Sequence, residues 1–321
     1  MITFVVDKLV CHYNKRMNRP SKIDFSVIIP HRNSIQCLPK LLSTVPATEQ
    51  VEVLIVDNSP VPITRDDIDS SRAYELFYSA PERGAGGARN VGIEHARGRW
   101  LVFVDADDYL TPDAFDTFYS YVDSDAEVLY FCSSSEYIDT GEPADRGTIH
   151  NQMVADYVQG RYDEQRLRIY FSTPWPKMVS HELVQRHAIR FDEVVASNDV
   201  IFSMLTGYYA RSIEVVDKVV YMVTVSKGSL TMRHDTAVVM ARYKVALRLN
   251  QFLREHGLGS YQRSIMYFIV RSLKHGVNTF FQSLRLLVVY KQNPLIGARN
   301  WVKEARIIAS RNRKYKKYIT H

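Results

Sequence analysis

Asp105-Ala106-Asp107-Asp108 places three carboxylates within four residues. Like charges packed this closely are costly without a cation. Hard oxygen ligands select Mg²⁺, Mn²⁺ or Ca²⁺, metals that keep water and bridge substrate phosphates. The same residues could instead form a solvated turn before a helix start at Thr111-Pro112-Asp113, and DxDD alone does not decide between the two. Upstream, ERGAGGARNVG (82–92) reads as a glycine-rich loop leading into a helix. Such loops bring backbone N–H groups close to phosphates, and the helix N-terminus adds positive potential. Arg83 and Arg89 contribute full charges. The spacing is not the GxGxxG dinucleotide fingerprint, which disfavours an oxidoreductase. A glycine loop ahead of a strand that ends in DxDD points to a site for a diphosphate and a metal.

The elements that must position these groups are legible as βαβ units. FSVIIP (25–30), VEVLIVDNS (51–59) and WLVFVDADD (100–108) are apolar runs with little alternation, the pattern of strands covered on both faces of a mostly parallel sheet. CLPKLLSTV and ARNVGIEHARG read as crossover helices, the second stopped by Gly98. In open α/β sheets, ligands bind beyond the carboxyl ends of the strands. All three runs deliver polar residues there: His31, Arg32 and Asn33; Asp57 and Asn58; Asp105, Asp107 and Asp108. Further on, AEVLYFCSS and EVVDKVVYMVTVS read as strands and VIFSMLTGYYA as a helix. Asp199 precedes that helix, where a carboxylate stabilises the macrodipole and can also serve as a base.

SVIIPHRN (26–33), EVLIVDNS (52–59), RGAGGARNVGIEHARGRWLVFVDADD (83–108) and FDEVVASNDVIF (191–202) together resemble the family 2 glycosyltransferases in motif, order and spacing. The resemblance covers roughly residues 22–235. It implies an α/β GT-A nucleotide-binding fold with a central mostly parallel sheet, a nucleotide-sugar donor, inversion at the anomeric carbon, and Mn²⁺ or Mg²⁺ as cofactor. Pro30 and Asn33 would line the nucleotide pocket, with Asp57 reading the uracil edge. The usual family run there is VDDGS, and Asn58 replaces the second acid. Arg89 would steady the nucleotide. Asp105 and Asp107 match the DxD motif that meets ribose, metal and diphosphate, and His234 is a further candidate metal ligand. Asp199 is the candidate base, preceded by Asn198 where the family often has Glu. Trp175, in PWPK (174–177), could stack on a sugar face or be core, and with Asn198 it would lie on the acceptor side. His31 and His95 are expected to be structural. The enzymatic alternative is a nucleotidyltransferase, which would release pyrophosphate. The non-enzymatic one is an inactive relative that binds polysaccharide.

Composition sets the outer frame. The 321 residues are 46% hydrophobic and 24% charged, an ordinary globular balance. Cys11, Cys37 and Cys132 form no CxxC pair, so neither a zinc site nor a disulfide framework is expected. No secretory signal or membrane-spanning run is legible, and the expected location is the cytoplasm. The net charge of +6 is unevenly distributed: residues 241–321 hold 17 Lys or Arg against Glu255 and Glu304, leaving 24 basic and 33 acidic residues before them. The chain therefore divides into an N-terminal extension (1–21), a GT-A domain (22–240) and a basic helical region (241–321). Basic groups interleaved with apolar ones at helical spacing read as a surface for anionic lipid, with a solvated basic face as the alternative. No nucleic-acid motif accompanies the charge. A glycan or lipid-linked acceptor at the inner face of a bacterial membrane would suit a transferase held there.

Overall fold

The computed structural model describes residues 23–226 and 235–296. The first half runs β1 (Phe25–His31), α1 (Leu38–Ser43), β2 (Val51–Asp57), β3 (Glu75–Tyr78), α2 (Gly84–His95) and β4 (Trp100–Phe103). Every residue of β1, β2 and β4 is buried, as unalternating apolar runs require. β1 lies between β2 and β4, all parallel, and β3 pairs with the outer side of β2. The register sets His31 opposite Asp57, so the polar strand ends converge. Alternate residues face opposite ways. Val27, Ile29, Val53 and Val102 enter one core with Phe118, while Ile28, Leu54, Leu101 and Phe103 enter the other with Phe202.

The second half adds β5 (Tyr109–Leu110), α3 (Ala114–Ser120), β6 (Val128–Tyr137), α4 (Thr148–Val158), α5 (Glu164–Tyr170), β7 (Lys177–Ser180), α6 (His181–Arg186), α7 (Val200–Tyr209) and β8 (Ile213–Val225). The sheet order is β3-β2-β1-β4-β7-β6-β8-β5. β7 is antiparallel to both neighbours, β5 is antiparallel to β8, and β6 with β8 is parallel. The sheet is thus mixed but mostly parallel, as expected.

The glycine-rich stretch departs from its sequence reading. It is not a loop: α2 begins at Gly84, and Gly86, Gly87 and Gly92 lie buried inside it. A glycine within a helix costs roughly 1 kcal/mol relative to alanine, and close packing explains why it is kept. A Cβ at Gly86 would stand 2.0 Å from the Asp192 carbonyl oxygen, and one at Gly92 would stand 2.4 Å from Ile28 Cγ2. The helix ends at His95, before the expected stop at Gly98, because Ala96 is already extended.

Beyond the sheet come α8 (Thr236–Glu255), α9 (Met266–Ser272) and α10 (Val277–Val289). α8 crosses the expected junction at residues 240 and 241. Its Val245, Leu249 and Leu253 pack on Ile169, Ile201 and Met204, while its Tyr243 and Leu247 meet Ile265, Ile269, Phe280 and Leu284. α8 therefore ties α9 and α10 to α5 and α7. Among the described residues no helix is long and apolar enough to cross a membrane.

Gly92→Ala should destabilise the fold by about 1–3 kcal/mol, since the new methyl must displace a core isoleucine. Gly259→Ala, whose nearest neighbour would be Gln262 Oε1 at 3.7 Å, should change it by less than about 0.5 kcal/mol. Urea unfolding of the two variants checks the contrast.

Candidate active site

The carboxyl ends of β1 and β2 form a braced corner. Asp57 is buried, and its Oδ1 accepts from His31 Nδ1 at 2.8 Å and from the Ser59 hydroxyl at 2.6 Å. Its Oδ2 accepts from the Ile63 amide at 3.0 Å. The Ser34 amide donates to His31 Nε2 at 3.2 Å, so the imidazole proton sits on Nδ1 and points at Asp57. Burial alone would raise the Asp57 carboxyl; the Ser59, His31 and Ile63 bonds outweigh it and hold the pKa below the ordinary range. Asn33 adopts a positive φ of 53°, and its amide donates to Ser59 Oγ at 3.0 Å. Pro30 lies within buried β1, opposite Val56. Asn58 is buried, its amide bonded to the His31 carbonyl. Its side-chain Nδ2 finds no partner among the described residues. Asp57 therefore acts as a brace for this corner, and Asn58 carries the unanswered donor.

The three acids after β4 diverge. Asp108 turns inward, accepting from the Tyr221 hydroxyl at 2.8 Å and the Thr224 amide at 2.7 Å. Burial, then the charges of Asp107 and Asp105, push its carboxyl well above the usual range. Asp107 faces solvent; the surrounding protein and then Asp105 raise its pKa. Asp105 is partly exposed and salt-bridged to Arg89. Among the described residues no three or more His, Cys, Asp or Glu side chains are arranged to hold a metal. The open carboxylates of Asp105 and Asp107 are nonetheless hard oxygen donors, the kind Mg²⁺ or Mn²⁺ takes one or two of alongside substrate phosphates. His234 lies outside the described residues.

Arg89 is the centre of the site. It is buried, with Nη2 on Asp105 at 2.5 Å and Nη1 on Asn198 Oδ1 at 2.8 Å. Its guanidinium lies over the Phe191 ring, 5.2 Å from the centroid. The rest of the α2 strip grips the same segment. Asn90 pairs with Phe191 through both main-chain groups, at 3.0 and 2.8 Å. Arg83 makes a two-armed contact with Glu193 at 2.9 and 2.6 Å. Gly86 admits the Asp192 carbonyl. The segment closes on itself where the Asp192 amide meets the Asn198 carbonyl at 3.1 Å. Ser197 sits at φ 60°, a conformation that costs a non-glycine residue about 1 kcal/mol or more and is found where surroundings impose it. Asp199 follows as the N-cap of α7, but its side chain makes no capping bond. Burial raises its carboxyl and the nearby Arg89 opposes the rise.

Several supports were not legible beforehand. Tyr221 and Thr224 on β8 hold the DxDD turn: the Asp105 amide donates to the Tyr221 hydroxyl at 3.0 Å, and the Thr224 hydroxyl donates to the Asp107 carbonyl at 2.6 Å. Nothing local in EVVDKVVYMVTVS marks them, because their partners lie more than 110 residues away. Trp175, joined to Pro176 by a cis bond, is buried and stacks on Tyr221 at 5.0 Å. Lys177 is buried, donating to the Phe171 carbonyl at 2.8 Å. Burial pulls its pKa down to about 7, with the charge of Asp199 acting the other way.

The mostly parallel sheet thus gathers paired acids, a buried arginine and the Asp199 segment at its carboxyl edge. The family model for glycosyl transferase family 2 matches residues 26–188, half of the chain, and the chain belongs to that family. Among curated proteins, it is 23% identical over 232 residues to the glycosyltransferase EpsH of Bacillus subtilis, spanning 69% of this chain and 66% of that one. It is 26% identical over 215 residues to the poly(ribitol-phosphate) beta-N-acetylglucosaminyltransferase TarS of Staphylococcus aureus, spanning 64% of this chain and 36% of TarS. Among solved structures, TarS 1–349 with UDP-GlcNAc superposes with a TM-score of 0.58 at 20% identity, over 82% of this chain and 80% of that one. The mannosyltransferase PcManGT of Pyrobaculum calidifontis, with GDP-Man and Mn²⁺, gives 0.51 at 16% identity, over 96% and 90%. These likenesses establish the GT-A fold.

Arg89→Met leaves Asp105 and Asn198 without their shared partner. It should destabilise the protein by about 3 kcal/mol, and Arg89→Met with Asp105→Asn should recover part of that loss. Thermal unfolding of wild type, both single variants and the double variant measures the coupling.

Proposed function

We propose that this chain is an inverting, metal-dependent glycosyltransferase that moves a hexosyl or N-acetylhexosaminyl group from a nucleotide sugar to a hydroxyl of a glycan or lipid-linked acceptor in polysaccharide biosynthesis. The observation that carries the reading is the Arg89 tie, which links the DxD turn to the residue before Asp199. Pro30, Asn33, Asp57 and Asn58 form the base end of the donor pocket, with Asp57 setting the corner and the Asn58 amide meeting a carbonyl on the base. The UDP-GlcNAc complex of TarS favours a uridine donor. Arg89 and Asp105 fix the ribose and diphosphate.

Asp107, with Asp105, would hold Mn²⁺ or Mg²⁺, and His234 is the proposed further ligand; the cation, once bound, supplies charge neutralisation for the departing nucleoside diphosphate. Asp199 accepts the proton of the attacking hydroxyl. Its side chain is not committed to capping α7, and Asn198 beside it is fixed by Arg89. Trp175 shapes the acceptor side through its stack on Tyr221, and Asn198 borders the same side. These groups together align donor and acceptor for one displacement from the far face of the sugar. The place of work is the cytoplasmic face of a membrane, with the chain bound peripherally.

Asp199→Asn should lower turnover by about 10²–10⁴-fold with donor affinity almost unchanged. In the wild type, the active form is deprotonated Asp199. Since its pKa is raised, turnover should fall on the acid side at a higher pH than an ordinary aspartate would give. Near-normal turnover in the variant would remove Asp199 from the mechanism.

A further inference from the structure

Among the described residues, the helices after the sheet leave an apolar strip exposed. α10 packs the half-buried Phe280, Leu284 and Leu287 against Tyr243, Leu247, Ile265 and Ile269. Along the adjoining edge of the same helix, Val277 is 66% exposed, Phe281 62% and Val288 78%, with Val289 at 63% further round. At about 100° per residue, positions 277, 281 and 288 fall within roughly 40° of one another around the axis. They form a line along the helix rather than scattered surface residues. Leu273 in the preceding turn and Leu295 beyond the helix are also exposed. Solvent-facing valines and phenylalanines in a row are unfavourable in water unless something covers them.

The charges beside the strip indicate what the cover is. Lys274, Arg285 and Lys291 are exposed around it. Residues 256–296 contain no aspartate or glutamate at all. An ordinary solvated helix face mixes both signs; this one carries a single sign next to an apolar line. A second copy of the same face would set cation against cation. A bilayer with anionic headgroups satisfies both features, taking the side chains of the strip into the acyl boundary while the flanking cations meet the headgroups.

We infer that the Val277–Phe281–Val288 face of α10 is a docking surface for an anionic lipid bilayer. This specifies the membrane contact of the transferase reading above and rests on it. The proposed catalytic residues lie after β4 and before α7, so they and the docking face belong to different elements and can be altered separately.

The test uses the full chain and vesicles of phosphatidylcholine with or without phosphatidylglycerol, read by co-sedimentation. Wild type should bind the anionic vesicles and release with rising salt. Val277→Ser, Phe281→Ser and Val288→Ser combined should weaken that binding by at least about tenfold. Lys274→Glu with Arg285→Glu should weaken it most at low salt. Hydrolysis of the nucleotide sugar without vesicles, measured on each variant, should match wild type. That arm keeps the two readings apart: intact hydrolysis with unaffected lipid binding overturns the docking face and leaves the transferase, whereas lost hydrolysis in wild type strikes the transferase itself. Equal binding to neutral vesicles, or a wild-type dimer that the triple substitution dissolves without any lipid binding, would also overturn it.

Discussion

A buried guanidinium needs partners, and both terminal nitrogens of Arg89 find theirs on two distant stretches of chain, while its Nε finds none among the described residues. One arm bonds the acid that opens the DxDD turn, and the other bonds the residue just before the candidate base. A charge this deep is stable only with such partners, so the pairing fixes both stretches at once. The remainder of α2 follows from it. Asn90 clamps Phe191, Arg83 clamps Glu193, and the missing side chain at Gly86 lets the Asp192 carbonyl approach. The glycine-rich motif is therefore a seat for the 191–199 segment, built as a helix.

Charge is distributed with a purpose along the β4 turn. Three acids in four residues would repel one another if all faced the same space. The structure separates them: Asp108 inward on Tyr221 and Thr224, Asp105 onto Arg89, Asp107 outward. Of the three, only Asp107 and one side of Asp105 remain open. Two aromatic layers, Tyr221 and the Trp175 stacked on it, hold this arrangement from beneath.

β1, β2, β4 and their crossover helices could be read from sequence because burial on both faces leaves unbroken apolar runs, and their polar ends announced the edge of the site; β3, half-buried and only four residues long, left no such run. The order of the motifs brought Arg89, Asp105, Asp107 and Asp199 into view together. The helical state of GAGGARN was hidden, since local propensity favours a loop and only the facing carbonyl of Asp192 and side chain of Ile28 explain the glycines. The bracing role of Asp57 was hidden for the same reason: His31 stands opposite it only through strand pairing. Tyr221 and Thr224 gave no local signal, because their partners are more than a hundred residues away. The basic character of residues 241–321 was plain, but only the path of α8 across residue 240 shows that the described helices α9 and α10 are tied to α5 and α7.

Release of nucleoside diphosphate from a panel of nucleotide sugars, in Mn²⁺, in Mg²⁺ and in EDTA, tests metal-dependent glycosyl transfer most directly. One donor of the panel should turn over with either cation and stop in EDTA, giving a nucleoside diphosphate. Release of pyrophosphate, or turnover undiminished by EDTA, would contradict it.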